Sequence, residues 1–184
     1  MNHAFTTRYN KRARVLNTSV GVFLPLTLEE AKIQQPKISV YVGIWDTGAT
    51  NSVITERVAK DLALKPISIA EVHHAGGTSP ANVYLVNIVL PDNVVIGQVH
   101  VTEGKLIAAD NVSEKDQPQV LIGMDIIGLG DFAVTNFNQR TTLSFRMPSL
   151  TEIDFVPETK ERNVMEGGNR QQRRAFEARK KHGK

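Results

Sequence analysis

Cysteine is absent from all 184 residues. Disulfides, thiolate metal sites and cysteine nucleophiles are therefore excluded together, and a reducing compartment such as the cytoplasm is expected. Long apolar runs are missing too. None approaches the roughly 20 residues that span a bilayer as a helix, so no membrane partner is expected. The N-terminal stretch lacks the order of a secretory signal. Lys11, Arg12 and Arg14 precede an apolar patch from Val20 to Leu28, but Asn17, Thr18 and Ser19 separate the two and Pro25 interrupts the patch. No small-residue cleavage site follows before Glu29 and Glu30. Metal-ligand spacing is also lacking. His73 and His74 are strand neighbours that point to opposite faces, and His3 and His100 add no hairpin or helical spacing. Gly128 and Gly130 flank Leu129 without a strand-to-helix phosphate context. No metal and no cofactor is expected.

What is present favours strands. An apolar fraction of 41% allows a core, and 13 glycines with 8 prolines imply many turns. The net charge of +3 is unevenly spread: Glu158 to Lys184 holds nine bases against four acids, +5, which leaves −2 for the rest. The expected organisation is a flexible arm over 1–18, one domain over 19–156, and a basic tail over 157–184, mobile or helical. Within the tail, Gly167 and Gly168 read as a hinge and Gln171 to Lys181 as a short basic helix.

Strands are expected over Val20 to Leu28, Ile38 to Trp45, Ile67 to His73, Ala81 to Leu90 and Val94 to Thr102, with Pro91, Asp92 and Asn93 as a turn. Val40, Val42 and Ile44 alternate with Tyr41, Gly43 and Trp45, so that strand should be buried on both faces. Trp45 reads as packing. Thr55 to Leu64 reads as a helix capped by Thr55 and ended before Pro66. Ala109 to Gln119 is a surface loop. Val120 to Ile122 is a short strand, and Asp125 to Gly130 could form one or two helical turns. Phe132 to Val134 and Thr142 to Met147 make a closing hairpin.

The strand Ile38 to Trp45 runs into Asp46-Thr47-Gly48-Ala49-Thr50. A carboxylate at the end of a buried strand is costly unless paired or protonated. Asp-Thr-Gly alone fits a plain turn as well as a reactive loop. Two further segments follow in order: Ala75-Gly76-Gly77-Thr78 between strands, then Leu121-Ile122-Gly123 leading into Met124-Asp125. Over about residues 18 to 148, this ordered set resembles the retropepsin-like aspartic proteases.

The resemblance implies a mainly β fold: a small closed β-barrel of retropepsin type with one or two short helices and a basic C-terminal tail. It implies an aspartic endopeptidase that works as a homodimer on peptide or protein substrates, with one Asp46 from each copy. Asp46-Thr47-Gly48-Ala49 would be the catalytic loop. Thr47 would bond across the two-fold axis. Ala75, Gly76, Gly77 and Thr78, with Ser79, would form the flap over substrate. Ile122 and Gly123 would brace the catalytic loop, and Asp125 would cap the following helix. Two other functions stay open: a silent peptide-binding or dimerisation module, and a protein that meets nucleic acid or an acidic partner through its tail.

Overall fold

The computed structural model describes residues 2–26, 29, 35–74, 77–106, 112–113, 116–167, 170–171, 174 and 178. Its strands are β1 (His3–Arg8), β2 (Asn17–Phe23), β3 (Ser39–Trp45), β4 (Val53–Ile54), β5 (Ser68–His74), β6 (Gly77–Leu90), β7 (Val94–Glu103), β8 (Pro118–Ile122), β9 (Asp131–Phe137) and β10 (Arg140–Met147). The helices are α1 (Glu56–Asp61), α2 (Met124–Ile127) and α3 (Phe155–Gly167). Two compact units result, Met1–Leu150 and Thr151–Lys184.

Strands β2, β3, β8, β4, β7 and β6 are hydrogen-bonded in that order, and β6 returns to β2 through Gly21↔Val89, Val22↔Ile88 and Phe23↔Asn87. The ring therefore closes as the small barrel expected, which leaves its six strands no open edge. Its interior holds the side chains that alternation points inward, among them Val20, Val22, Val86, Ile88, Val120 and Ile122, none more than 0% exposed. Strand β5 pairs only with β6, outside the ring. A second sheet, β1-β10-β9, lies apart from this hydrogen-bonded ring. Its inner aromatics Phe5, Phe132 and Phe145 pack on Trp45 at centroid distances of 5.8, 5.5 and 5.4 Å. The indole N–H of Trp45 donates to Thr18 Oγ1 at 3.0 Å, so its one polar group is satisfied inside the core.

Several local expectations are altered by tertiary partners. Residues 3–8, expected within a flexible arm, form β1 and pair with β10 from His3↔Met147 to Arg8↔Thr142. Only Phe5 of that strand is large and apolar, so alternation alone does not reveal it. Strand β3 is not buried on both faces: Gly43 and Trp45 are, but Val40 is 66% exposed and Val42 and Ile44 are half-buried. Helix α1 is shorter than expected because Ala63 turns to φ 49°. Thr55 precedes it without a side-chain capping bond; its hydroxyl meets the Gln119 side chain instead. The β9–β10 hairpin turns on Asn138 and Gln139, at φ 50° and 59°, the left-handed pair that matches strand twist. The hairpin's strands are longer than the sequence pattern suggests. Helix α3 begins at Phe155, ahead of the expected tail, and runs through Gly167. Gly168 and most of Gln171 to Lys181 lie outside the described residues, as do parts of the Ala109 to Gln119 loop.

Asp131 fastens the exit from β10. Its carboxylate accepts the Leu150 N–H at 3.0 Å, the Ser149 hydroxyl at 2.5 Å and the Arg146 Nε–H at 2.9 Å. These bonds, the Leu150 N–H foremost, hold its carboxyl far below the usual carboxylate range. A depressed folded-state pKa contributes stability above the unfolded pKa, and that contribution is lost as pH falls toward the folded one. Asp131→Asn should therefore lower the melting temperature at neutral pH, and the gap from wild type should narrow with acidification below about pH 4. Thermal melts of both proteins across that range check this; a gap that is constant with pH would refute it.

Candidate active site

Asp46 follows the last residue of β3, where the chain leaves the barrel wall. Parallel pairing of β3 with β8 sets Ile44 beside Leu121 and Trp45 beside Ile122. The ladder is carried one step further by the Asp46 N–H, which donates to the Ile122 carbonyl at 3.0 Å. The chain then turns tightly. Gly48 N–H donates to Asp46 Oδ1 at 2.8 Å and Ala49 N–H to the Asp46 carbonyl at 3.3 Å. One carboxylate oxygen is thus oriented by the loop itself. Asp46, Thr47 and Gly48 are exposed, and no hydrogen bond of the Thr47 hydroxyl occurs within the described residues. The carboxylate expected at the end of a buried strand is therefore open to solvent in the single chain.

Loop 46–52 is threaded past the end of β8. Met124 N–H donates to the Ala49 carbonyl at 2.8 Å and Asp125 N–H to the Thr50 carbonyl at 3.1 Å. Ser52, 0% exposed, is the centre of the crossing. Its N–H and hydroxyl donate to the two Asp125 oxygens at 3.0 and 2.8 Å, and its Oγ accepts the Gly123 N–H at 3.1 Å. Asp125 also accepts the Ile126 N–H at 3.0 Å, but the position before α2 belongs to Gly123. Its carboxylate is a brace for the loop, not the helix cap expected from the sequence. Ser52 has no signal in the sequence; only a search for hydroxyls within reach of Asp125 would have singled it out.

Beside Asp46 lies an apolar strip. Ile44 is the register partner of Leu121, and Leu121 of Val53, so all three share one face of three adjacent strands. Each is half-buried in the single chain. The open face of β3 thus places apolar surface next to the exposed acid.

The β5–β6 hairpin is paired to itself from Ser68↔Val83 to His74↔Gly77. Strand β7 joins β6 only from Val83 onward, so residues 68–74 and 77–82 stand beyond the barrel wall as a two-stranded arm. Pro80 is tolerated there because, among the described residues, no strand pairs with the other side of that segment. Gly77 takes φ +118°, a conformation that side chains rarely adopt, and Thr78 is exposed. Ala75 and Gly76 lie outside the described residues. At the root of the arm, the Tyr84 hydroxyl donates to Glu103 at 2.6 Å, and burial first, then this carboxylate, raises the phenol above its usual pKa.

A family described as aspartyl protease matches residues 29–126. The chain belongs to the aspartyl protease family. The retropepsin-like resemblance carried by Asp46-Thr47-Gly48, the hairpin and Leu121-Ile122-Gly123 is borne out at that level. Among solved structures, a retropepsin-like aspartic protease from Rickettsia conorii is similar at 12% identity and TM-score 0.43, covering 79% of this chain and 95% of that one. The simian foamy virus (mac) protease is similar at 13% identity and TM-score 0.36, over 60% of this chain and 92% of that one. A foamy viral protease-reverse transcriptase in complex with an RNA/DNA hybrid is similar at 16% identity and TM-score 0.38, over 90% of this chain but 17% of that one. No curated protein sequence matches the chain. Among the described residues no group of three or more His, Asp or Glu is arranged to hold a metal, and no helix is long and apolar enough to cross a membrane.

Proposed function

We propose that this aspartyl protease family member is an endopeptidase that acts as a homodimer, with Asp46 of each copy in one site. The observation that carries the reading is the exposed Asp46 carboxylate at the head of a loop threaded through Gly123 and Asp125. One such acid per chain suffices if two copies bring their loops together. Two adjacent carboxylates cannot both ionise easily, so the pair holds one proton and titrates as a unit. The ionised oxygen takes a proton from a water whose oxygen attacks the scissile carbonyl carbon. The protonated partner donates to the carbonyl oxygen, and a proton then passes to the leaving nitrogen as the C–N bond breaks.

Thr47, with a hydroxyl unused among the described residues, would bond across the two-fold axis. Gly48 leaves the approach to Asp46 Oδ1 open, and Ala49 is held by Met124 N–H. Ile122 and Gly123 support the loop from beneath. The arm bearing Ala75, Gly76, Gly77 and Thr78 would cover a peptide held as an added strand. The absence of cysteine suits a cytoplasmic setting. The nucleic-acid reading rested on the tail, most of whose cations lie outside the described residues.

Activity should depend on association. Turnover of a mixed peptide library per chain should fall steeply on dilution through the dimer dissociation constant, in step with the dimer fraction measured by sedimentation. A protein that is monomeric throughout and still cleaves would show that a second acid within one chain completes the site.

A further inference from the structure

The barrel unit carries a basic surface that the proteolytic reading does not use. Residues 1–28 contain Arg8, Lys11, Arg12 and Arg14 and no acid, whereas residues 29–157 contain fifteen acids and nine bases. The fold gathers the four cations with Arg140 around one buried threonine. Thr141 is 1% exposed. Its N–H donates to the Lys11 carbonyl at 3.3 Å, its carbonyl accepts the Tyr9 N–H at 2.9 Å, and its Oγ1 accepts the Ala13 N–H at 2.9 Å. Arg140 precedes it in β10, and Arg8 pairs with Thr142 after it. All five cations are exposed, and none has an acidic partner among the described residues. No acid occurs between Phe132 and Phe145 either.

The loop that presents them is held at both ends. The Tyr9 hydroxyl donates to the Asn17 carbonyl at 2.7 Å and accepts the Asn17 N–H at 2.9 Å. The loop then runs straight to the catalytic strand, since the Leu16 carbonyl accepts the Trp45 N–H at 2.9 Å and Asn17 pairs with Ile44. Arg14 is two residues from Leu16, and Asp46 one from Trp45, so the backbone at Arg14 lies within roughly 16 Å of Asp46. An uncompensated positive surface, prefixed in shape and adjoining the reactive carboxylate, attracts an anionic partner with little ordering cost.

We propose that Arg8, Lys11, Arg12, Arg14 and Arg140 form a docking site for an acidic peptide segment, which delivers the flanking chain to Asp46. Binding of the acidic segment stands on the patch alone; its service to cleavage rests on the proteolytic reading. A polynucleotide is the weaker fit, because among the described residues Phe137 is the only strongly exposed aromatic ring in the patch and one ring makes no stacking platform for successive bases.

The test uses the full chain and the quadruple variant Arg8→Gln, Lys11→Gln, Arg12→Gln, Arg140→Gln, which leaves Arg14 beside the catalytic loop untouched. Binding of a labelled oligoglutamate peptide is read by anisotropy, with a neutral peptide and oligouridylate as comparisons. At low salt the oligoglutamate should bind at least about tenfold more tightly than the neutral peptide, and high salt or the quadruple variant should erase that preference. A cleavable peptide extended with glutamates should show a KM lower by a similar factor in the wild type alone, with kcat unchanged. Equal binding of acidic and neutral peptides, or a preference that survives the quadruple change, would overturn the proposal. So would oligouridylate displacing the peptide at far lower concentration. Binding that is lost in the variant while neither peptide is cleaved would uphold the docking site and reject the proteolytic reading instead.

Discussion

Asp46→Asn should lower kcat by at least about a thousandfold, the loss of about 4 kcal/mol of transition-state stabilisation, while the protein still folds and associates. The asparagine oxygen can accept the Gly48 N–H that Asp46 Oδ1 accepts now at 2.8 Å, so the loop keeps its shape. What disappears is the exchangeable proton and the charge that would activate water in the proposed reaction. Peptide turnover, a thermal melt and sedimentation of both proteins separate these effects. Activity within tenfold of wild type would remove Asp46 from the chemistry. Asp125→Asn serves as the contrast. Both of its oxygens already accept bonds from Ser52 and one also from Ile126, so its replacement should appear first as lost stability.

Gly123→Ala should destabilise the barrel unit by about 3 kcal/mol or more, because the added carbon meets backbone with no freedom to yield. A Cβ there would stand 2.6 Å from the Asn51 carbonyl carbon, 2.7 Å from its oxygen and 3.0 Å from the Ala49 oxygen. Relief requires loop 46–52 to move away from α2, which breaks the bonds of Met124 to Ala49 and of Gly123 to Ser52. In a unit of this size the melting temperature should drop by roughly 10 °C, with loss of turnover. Gly97→Ala is the control: its Cβ would meet only Asn87 Oδ1 at 3.6 Å, an ordinary contact, and its cost should stay below about 1 kcal/mol. Equal melting temperatures for the two variants would show that the loop crossing is not the constraint described.

Much of this was legible because local chemistry and tertiary placement agree. Alternating Val, Ile and Leu around Pro91 to Asn93 required a hairpin, and β6 and β7 form it. The ordered Asp46-Thr47-Gly48, glycine hairpin and Leu121-Ile122-Gly123 required a particular family, and residues 29–126 match it. The segment His3–Arg8 was illegible because its pairing is determined by the open edge of β10, a strand more than a hundred positions away. Ser52 was illegible for the same reason: its partner Asp125 is 73 positions distant.

The sequence alone determined the class of fold, the candidate acid Asp46 and the exclusion of thiol chemistry, since each depends on residue type and short-range pattern. Only the tertiary structure decided which face of β3 stays open, that Asp125 braces the loop, and that Thr141 gathers the cations. Those outcomes depend on which distant strands become neighbours. Closure of the barrel through β2 and β6 selects them by burying Val20, Val22 and Ile88 together, a gain that no segment obtains alone.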